Sequence, residues 1–166
     1  PLDGTKEFIK RNDEFTCNIA LIENHIPTLG FVSIPALDLL YAGGPGYQSQ
    51  RVNRSGQMTS LVPQPKLGVT RIVASKSHLN NETQAFIDEI PGKIELVQAG
   101  SSLKFLRIAE GLADIYHRLG PTCEWDTAAA HAIVLGVGGT VTDLNDEELI
   151  YGIAKILNPH FVVRAP

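Results

Sequence analysis

The sequence predicts an α+β fold in which helices cover layered sheets, and two observations predict it. Residues 15–42 read as three short apolar strands separated by turns, and from residue 69 the pattern changes to alternating strand and helix. A charged helical run, Lys6 to Arg11, comes first. Phe15–Ile22 is a buried strand, Glu23-Asn24-His25 a turn, and Leu29–Ile34 a second strand stopped by Pro35. A turn at Ala36 to Asp38 leads to a third strand, Leu39–Ala42, which Gly43-Gly44-Pro45-Gly46 breaks. Residues 47–68 are polar with scattered Pro and Gly and read as a ragged hairpin and loop.

In the second half, Thr70–Ser75 is a strand, and Asn81 precedes a helix from Glu82 to Ile90 that Pro91-Gly92 stops. Ile94–Val97 alternates as a strand does, and Gly100-Ser101-Ser102 caps a helix from Leu103 to about Leu112. Ala113–His117 is a short strand, and a small-residue helix runs from Thr127 to about Leu135 behind Asp126. Thr140–Thr142 and Phe161–Val163 are late strands. The pattern divides the chain at 68/69 into a meander half, 1–68, and an α/β half, 69–166.

Composition narrows the function. With 166 residues, 43% of them hydrophobic and 19% charged, the chain can bury a core. No apolar run reaches the ~20 residues a membrane span needs. The polar start carries no signal-peptide pattern, so the expected location is the cytoplasm, with peripheral membrane association left open. A net charge of −4 argues against a general nucleic-acid binder but allows a local positive pocket for a phosphorylated ligand. Two cysteines, Cys17 and Cys123, without CxxC spacing read as thiols in a reducing compartment.

Several segments can carry chemistry. In Pro1-Leu2-Asp3-Gly4-Thr5 a carboxylate is followed by a residue that lets backbone approach closely and by a helix start with free N–H groups, which suits a cation and a phosphate. A plain Asp-Gly turn accounts for it as well. Asp126 in Trp125-Asp126-Thr127 is either a helix N-cap or a metal ligand at a helix start. Gly100-Ser101-Ser102-Leu103-Lys104 is a capped helix or a small anion site. Ser75-Lys76-Ser77-His78 follows a strand end, where α/β sheets bind ligands, or is a polar loop. Arg118 is a phosphate clamp or a solvated arginine. His25, His131 and His160 have no zinc spacing. G-x-S-x-G, P-loop and G-x-G-x-x-G patterns are absent, and the Gly136–Gly139 run reads as a helix stop.

Taken in order, Pro1-Leu2-Asp3-Gly4-Thr5-Lys6-Glu7-Phe8-Ile9, Gly100-Ser101-Ser102-Leu103-Lys104-Phe105, Ala109-Glu110-Gly111, Gly120-Pro121-Thr122, Trp125-Asp126-Thr127-Ala128-Ala129 and Leu157-Asn158-Pro159-His160-Phe161 resemble one family along the whole chain. It is the 3′(2′),5′-bisphosphate nucleotidases of the CysQ type, within the Mg²⁺-dependent, lithium-sensitive inositol monophosphatase-like phosphatases. The resemblance implies a layered α/β sandwich lacking its N-terminal helices and first strands. It implies Asp3, the Leu2 carbonyl and Asp126 as ligands of two or three Mg²⁺ in the intact protein, with Asp3 and Thr5 catalytic and Gly4 and Thr5 on the scissile phosphate. It also implies His78, Ser101, Ser102, Lys104, Arg118 and Asp126 around the nucleotide.

The chain departs from the family pattern in two respects. The family motif reads D-P-L-D-G-T, so its first Asp would precede Pro1, and an upstream Glu-Glu pair would lie in a further region of ~80 residues. Ala130 stands where the family usually has Gly. The expected reaction is hydrolysis of adenosine 3′,5′-bisphosphate, or of its phosphosulfate analogue PAPS, to AMP or APS and phosphate, with the partner a small-molecule nucleotide bisphosphate. An inositol phosphate or sugar bisphosphate substrate, or else a non-catalytic remnant or a nucleotide-binding module, are the alternatives. The residues point to no nucleic-acid or protein partner.

Overall fold

The computed structural model describes residues 2–64, 68–74 and 81–166. The Ser75–His78 segment and the end of the strand expected there lie outside the described residues. The order is β1 (Leu2–Asp3), α1 (Thr5–Lys10), β2 (Thr16–Glu23), β3 (Ile26–Ile34), β4 (Leu39–Gly44), β5 (Tyr47–Asn53), β6 (Met58–Ser60), β7 (Thr70–Ala74), α2 (Asn81–Asp88), β8 (Ile94–Gln98), α3 (Leu103–Ala109), β9 (Ile115–Arg118), α4 (Glu124–Gly136), β10 (Thr140–Asp143) and β11 (Phe161–Arg164). β1 to β6 form one antiparallel sheet in sequence order. The other sheet runs β10-β11-β9-β7-β8, with β7 parallel to both β8 and β9. The α+β reading is therefore met.

Two expectations change. The polar stretch 47–60 forms two regular strands, because Ser49 is fully buried and its hydroxyl donates to the Ile133 carbonyl at 2.9 Å. The segment also continues the meander ladder, so it need not carry an apolar pattern of its own. The last helix begins at Glu124, not Thr127, which makes Asp126 its third residue.

Helices α3 and α4 lie between the sheets. Successive strand residues point to opposite faces. Accordingly Tyr116 of β9 packs on Phe105 of α3, while its neighbour His117 stacks on Phe86 of α2 at 3.7 Å between ring centroids. α2 thus covers the far face of the mixed sheet. Residues of both sheets and of α3 and α4 share one buried core, including Val32, Tyr41, Leu106, Ile133 and Phe161. Beneath it, Glu110 accepts from the Tyr41 phenol at 2.7 Å and pairs with Arg51 and Arg107, tying the meander to the end of α3.

The small residues of α4 allow an unusually close approach to the meander. A Cβ on Gly30 of β3 would lie 1.9 Å from the Ala129 carbonyl oxygen, so helix backbone rests directly on strand backbone. Ala130 is 1% exposed and belongs to the shared core, so its methyl group is accommodated.

A buried polar chain fixes the front of the helix. Asn158 Nδ2 donates to Thr122 and Thr127 at 3.1 and 3.0 Å. Tyr151 donates to Thr127 at 3.2 Å, and Thr127 to the Glu124 carbonyl at 3.2 Å. The Tyr151 oxygen then accepts from His131 Nδ1 at 3.0 Å, which assigns the proton of the neutral ring to Nδ1. Burial pushes the His131 pKa down to about 3.

Two predictions follow from this packing. Gly30→Ala forces helix and strand apart and lowers stability by about 1–3 kcal/mol, read from the urea midpoint; an unchanged midpoint contradicts the close approach. The unfolded chain takes up a proton on His131 near pH ~6.5, whereas the folded protein does so only near 3. Stability contributed by this residue is therefore complete above pH ~6.5 and falls as pH drops from there toward about 3. The slope approaches ~1.4 kcal/mol per pH unit. His131→Gln flattens the curve between pH 6.5 and 5, measured by urea titration against the parent.

Candidate functional site

A cavity of about 670 Å³ opens where β1, α1, α3, β9 and α4 meet, and its lining includes Asp3, Gly4, Ser101, Lys104, Arg118 and Asp126. Six of the residues expected at a site thus come together across the chain. Ser102 is set just behind them, Thr5 begins α1, and Leu2 is 40% exposed on β1. His78 lies outside the described residues.

Asp3 is placed by a short strand. β1 pairs with β2 so that Asp3 faces Thr16, whose hydroxyl donates to the Asp3 carboxylate at 3.4 Å. Ser101 and Ser102 donate to the same carboxylate oxygen, Ser102 at 3.4 Å. Ser101 and Thr16 are in turn 2.7 Å apart. The expected anion-binding hydroxyls are therefore engaged with Asp3.

The backbone bends to allow this convergence. Gly4 has φ 87° and Ser101 φ 46°, both left-handed. For serine that conformation is uncommon and costs energy, and such residues concentrate at functional sites. A Cβ on Gly4 would meet Ser101 Cβ at 3.2 Å, so the two turns nearly touch.

Asp126 faces Asp3 from α4. Cys123 is the N-cap, and its N–H donates to Asp126 Oδ2 at 2.9 Å in a capping-box arrangement. The N-cap expected at Asp126 therefore lies three residues earlier. The Asp126 backbone carbonyl accepts from Ser102 at 3.2 Å, linking the starts of α3 and α4. Burial first, and then the nearby Asp3 charge, raise the Asp126 pKa, while the Cys123 N–H opposes the rise.

The cations lie on another wall of the same cavity. Burial and the neighbouring Arg118 charge push Lys104 down to about 8, against the pull of Asp3, Glu7 and Glu14. Arg118 is folded back on the turn that follows it, with Nε on the Gly120 carbonyl at 3.2 Å and Nη2 on the Pro121 carbonyl at 3.1 Å. It is partly exposed and anchored to backbone carbonyls.

Asp3 and Asp126 offer carboxylate oxygen only, and their mutual repulsion would be relieved by positive charge between them. Among the described residues no group of three or more His, Cys, Asp or Glu is placed to hold a metal ion. The residues thus fit Mg²⁺ in kind, with two carboxylates as their share of a coordination shell. Among the described residues no helix is long and apolar enough to cross a membrane.

Sequence reasoning passed over Thr16, Tyr116 and Thr127. Thr16 and Tyr116 read as ordinary strand residues, and Thr127 as helix. One signal was present: Tyr116 stands two residues before Arg118, so both project from the same face of β9.

Comparison with known proteins places this architecture. The model of the inositol monophosphatase family matches residues 1–163. The 3′(2′),5′-bisphosphate nucleotidase CysQ of Salmonella typhimurium is 44% identical over 98% of this chain, and that of Escherichia coli K12 41% identical over 98%. The chain spans 65% of the length of each of these relatives. The crystal structure of CysQ from Bacteroides thetaiotaomicron, described as a bacterial member of the inositol monophosphatase family, superposes with a TM-score of 0.92 at 39% identity, covering 99% of this chain and 68% of that one. Mycobacterium tuberculosis SuhB shares the fold, with a TM-score of 0.77 at 22% identity over 100% of this chain and 65% of its own. The chain belongs to the inositol monophosphatase family.

Proposed function

We propose that the protein carrying this chain is a Mg²⁺-dependent phosphomonoesterase that hydrolyses adenosine 3′,5′-bisphosphate to AMP and phosphate. The observation that carries this reading is the division of charge in one cavity. Asp3 and Asp126 supply anions for a cation, while Lys104 and Arg118 supply positive charge for an anionic ligand. The names of the relatives at 41–44% identity support the substrate class.

On this reading Asp3, the Leu2 carbonyl and Asp126 would hold Mg²⁺, two or three ions per active site in the protein that carries this chain. When bound, the cation supplies positive charge to the phosphoryl oxygens and activates the attacking water. The residues of the chain orient the reaction. Gly4 and Thr5 receive the scissile phosphate, where the first N–H groups of α1 have no intrahelical acceptor. The hydroxyls of Thr16, Ser101 and Ser102 stop the Asp3 carboxylate from rotating. A water oxygen then forms a bond to phosphorus as the bond to the ribose 3′ oxygen breaks, and that oxygen leaves with a proton. Lys104 and Arg118 hold the second phosphate, which does not react. That pair favours a bisphosphate over inositol monophosphate, whose other groups are neutral hydroxyls.

Two experiments on the natural full-length protein test the reading. Asp126→Ala lowers Mg²⁺ affinity by at least about 100-fold by calorimetry, with turnover falling further; near-parental activity would refute the assignment. In a phosphate-release panel, adenosine 3′,5′-bisphosphate exceeds inositol 1-phosphate in kcat/KM by about 100-fold or more, as a charge-assisted contact of ~2–3 kcal/mol implies. Equal values, or a preference for inositol phosphate, transfer the enzyme to that substrate class.

A further inference from the structure

The chain from Gly152 to His160 runs past the start of α4, and every residue in it except Asn158 is exposed. Ile153, Ile156 and Leu157 are among the exposed ones. The segment thus leaves its apolar side chains in water and turns one amide toward the protein. Burial of apolar surface does not account for that choice, whereas hydrogen bonding does.

Backbone contacts place Asn158. Leu157 forms an antiparallel bridge with Cys123, and the Glu124 N–H donates to the Ile156 carbonyl at 2.9 Å. The Asn158 N–H donates to the Thr122 carbonyl at 2.9 Å. Pro159 biases the residue before it toward extended backbone, which suits this pairing. The side-chain amide carries two N–H groups, one for each of two threonines. Its nitrogen lies 3.1 Å from the Thr122 hydroxyl and 3.0 Å from the Thr127 hydroxyl.

Those threonines belong to opposite charges of the cavity. Thr122 ends the turn whose Gly120 and Pro121 carbonyls hold the Arg118 guanidinium at 3.2 and 3.1 Å. Thr127 follows Asp126, whose carboxylate accepts from the Cys123 N–H at 2.9 Å. Each charged group therefore has a local anchor of its own, and Asn158 ties one anchor to the other. Arg118, Thr122, Asp126 and Thr127 all line the same cavity.

We propose that Asn158 is a positioning residue that fixes the spacing between the Arg118 guanidinium and the Asp126 carboxylate, so that one ligand meets both without reorganising them. The proposal rests on the substrate reading above, with the second phosphate at Arg118 and a cation at Asp126. Asn158 acts through the two threonines. A preset spacing lowers the ordering cost only for a ligand that uses both groups.

The test is made on the protein that carries this chain. It compares adenosine 3′,5′-bisphosphate with adenosine 3′-monophosphate, which keeps the scissile group and lacks the second phosphate. In Asn158→Ala the ratio of kcat/KM for bisphosphate over monophosphate falls about tenfold, while the monophosphate value stays within about threefold of the parent. Two calorimetric titrations separate lost spacing from general damage. Mg²⁺ alone, and adenosine 5′-monophosphate in metal-free buffer, each bind the variant within about threefold of the parent, because each charged group keeps its own anchor. Thr122→Val cuts one leg of the link, and gives the same fall in the ratio should Asn158→Ala fold poorly. On the Thr122→Val background, Asn158→Ala lowers the ratio no further, because the link is already broken.

An unchanged ratio, an equal loss on both substrates, loss of either calorimetric binding, or an additive effect in the double variant overturns the positioning role. Each of these leaves the substrate reading in place. If the parent protein itself does not distinguish the two substrates and Arg118→Met changes neither, the substrate reading fails and the role of Asn158 fails with it.

Discussion

Three hydroxyls converge on the carboxylate of Asp3, and the geometry of the site follows from that convergence. Thr16 comes from the meander, and Ser101 and Ser102 come from the turn before α3. A carboxylate accepting several hydrogen bonds is fixed in position and orientation. Ser102 also reaches the Asp126 carbonyl, so the contact that orients one carboxylate registers the helix that presents the other. The left-handed turns at Gly4 and Ser101 are the conformational cost of bringing these segments together.

The remainder of the fold makes that cost bearable. α4 carries almost no bulk where it meets β3, and Gly30 lets backbone rest against backbone. The close seat leaves the helix little freedom to slide. Its front is pinned by hydrogen bonds that link Asn158, Thr127, Tyr151 and His131. Burying a neutral imidazole in that chain gives directional contacts at the expense of acid tolerance. Together these features aim Asp126 toward the cavity.

Opposed charges inside one cavity moderate each other. Burial and then Asp3 raise the pKa of Asp126, burial and then Arg118 lower that of Lys104, and each pair also relieves the other. A doubly charged cation at the carboxylates and a polyanionic ligand at the basic residues would satisfy both pairs at once. The site is thus electrostatically tense without ligands and complementary to a metal–phosphate assembly.

Periodicity and punctuation made much of the fold legible. Apolar runs located β2, β3 and β11, alternation located β8, and the break near residue 69 separated meander from alternating strand and helix. The motif residues Asp3, Gly4, Ser101, Lys104, Arg118 and Asp126 were recognisable by type and order. β5 was not, because Ser49 is buried through a hydrogen bond to a helix carbonyl, and local hydrophobicity does not report such a bond. The start of α4 was misjudged because its N-cap is a cysteine, a residue that rarely signals one. The sequence by itself determined which groups could carry charge and which segments would be strand or helix, since both depend on near neighbours. Only the tertiary structure decided that Ser101 would clasp a carboxylate 98 residues away and that the Lys104 ammonium would stand over the Tyr116 ring. Such contacts form when distant segments close on one another, and no local pattern encodes which partners then meet.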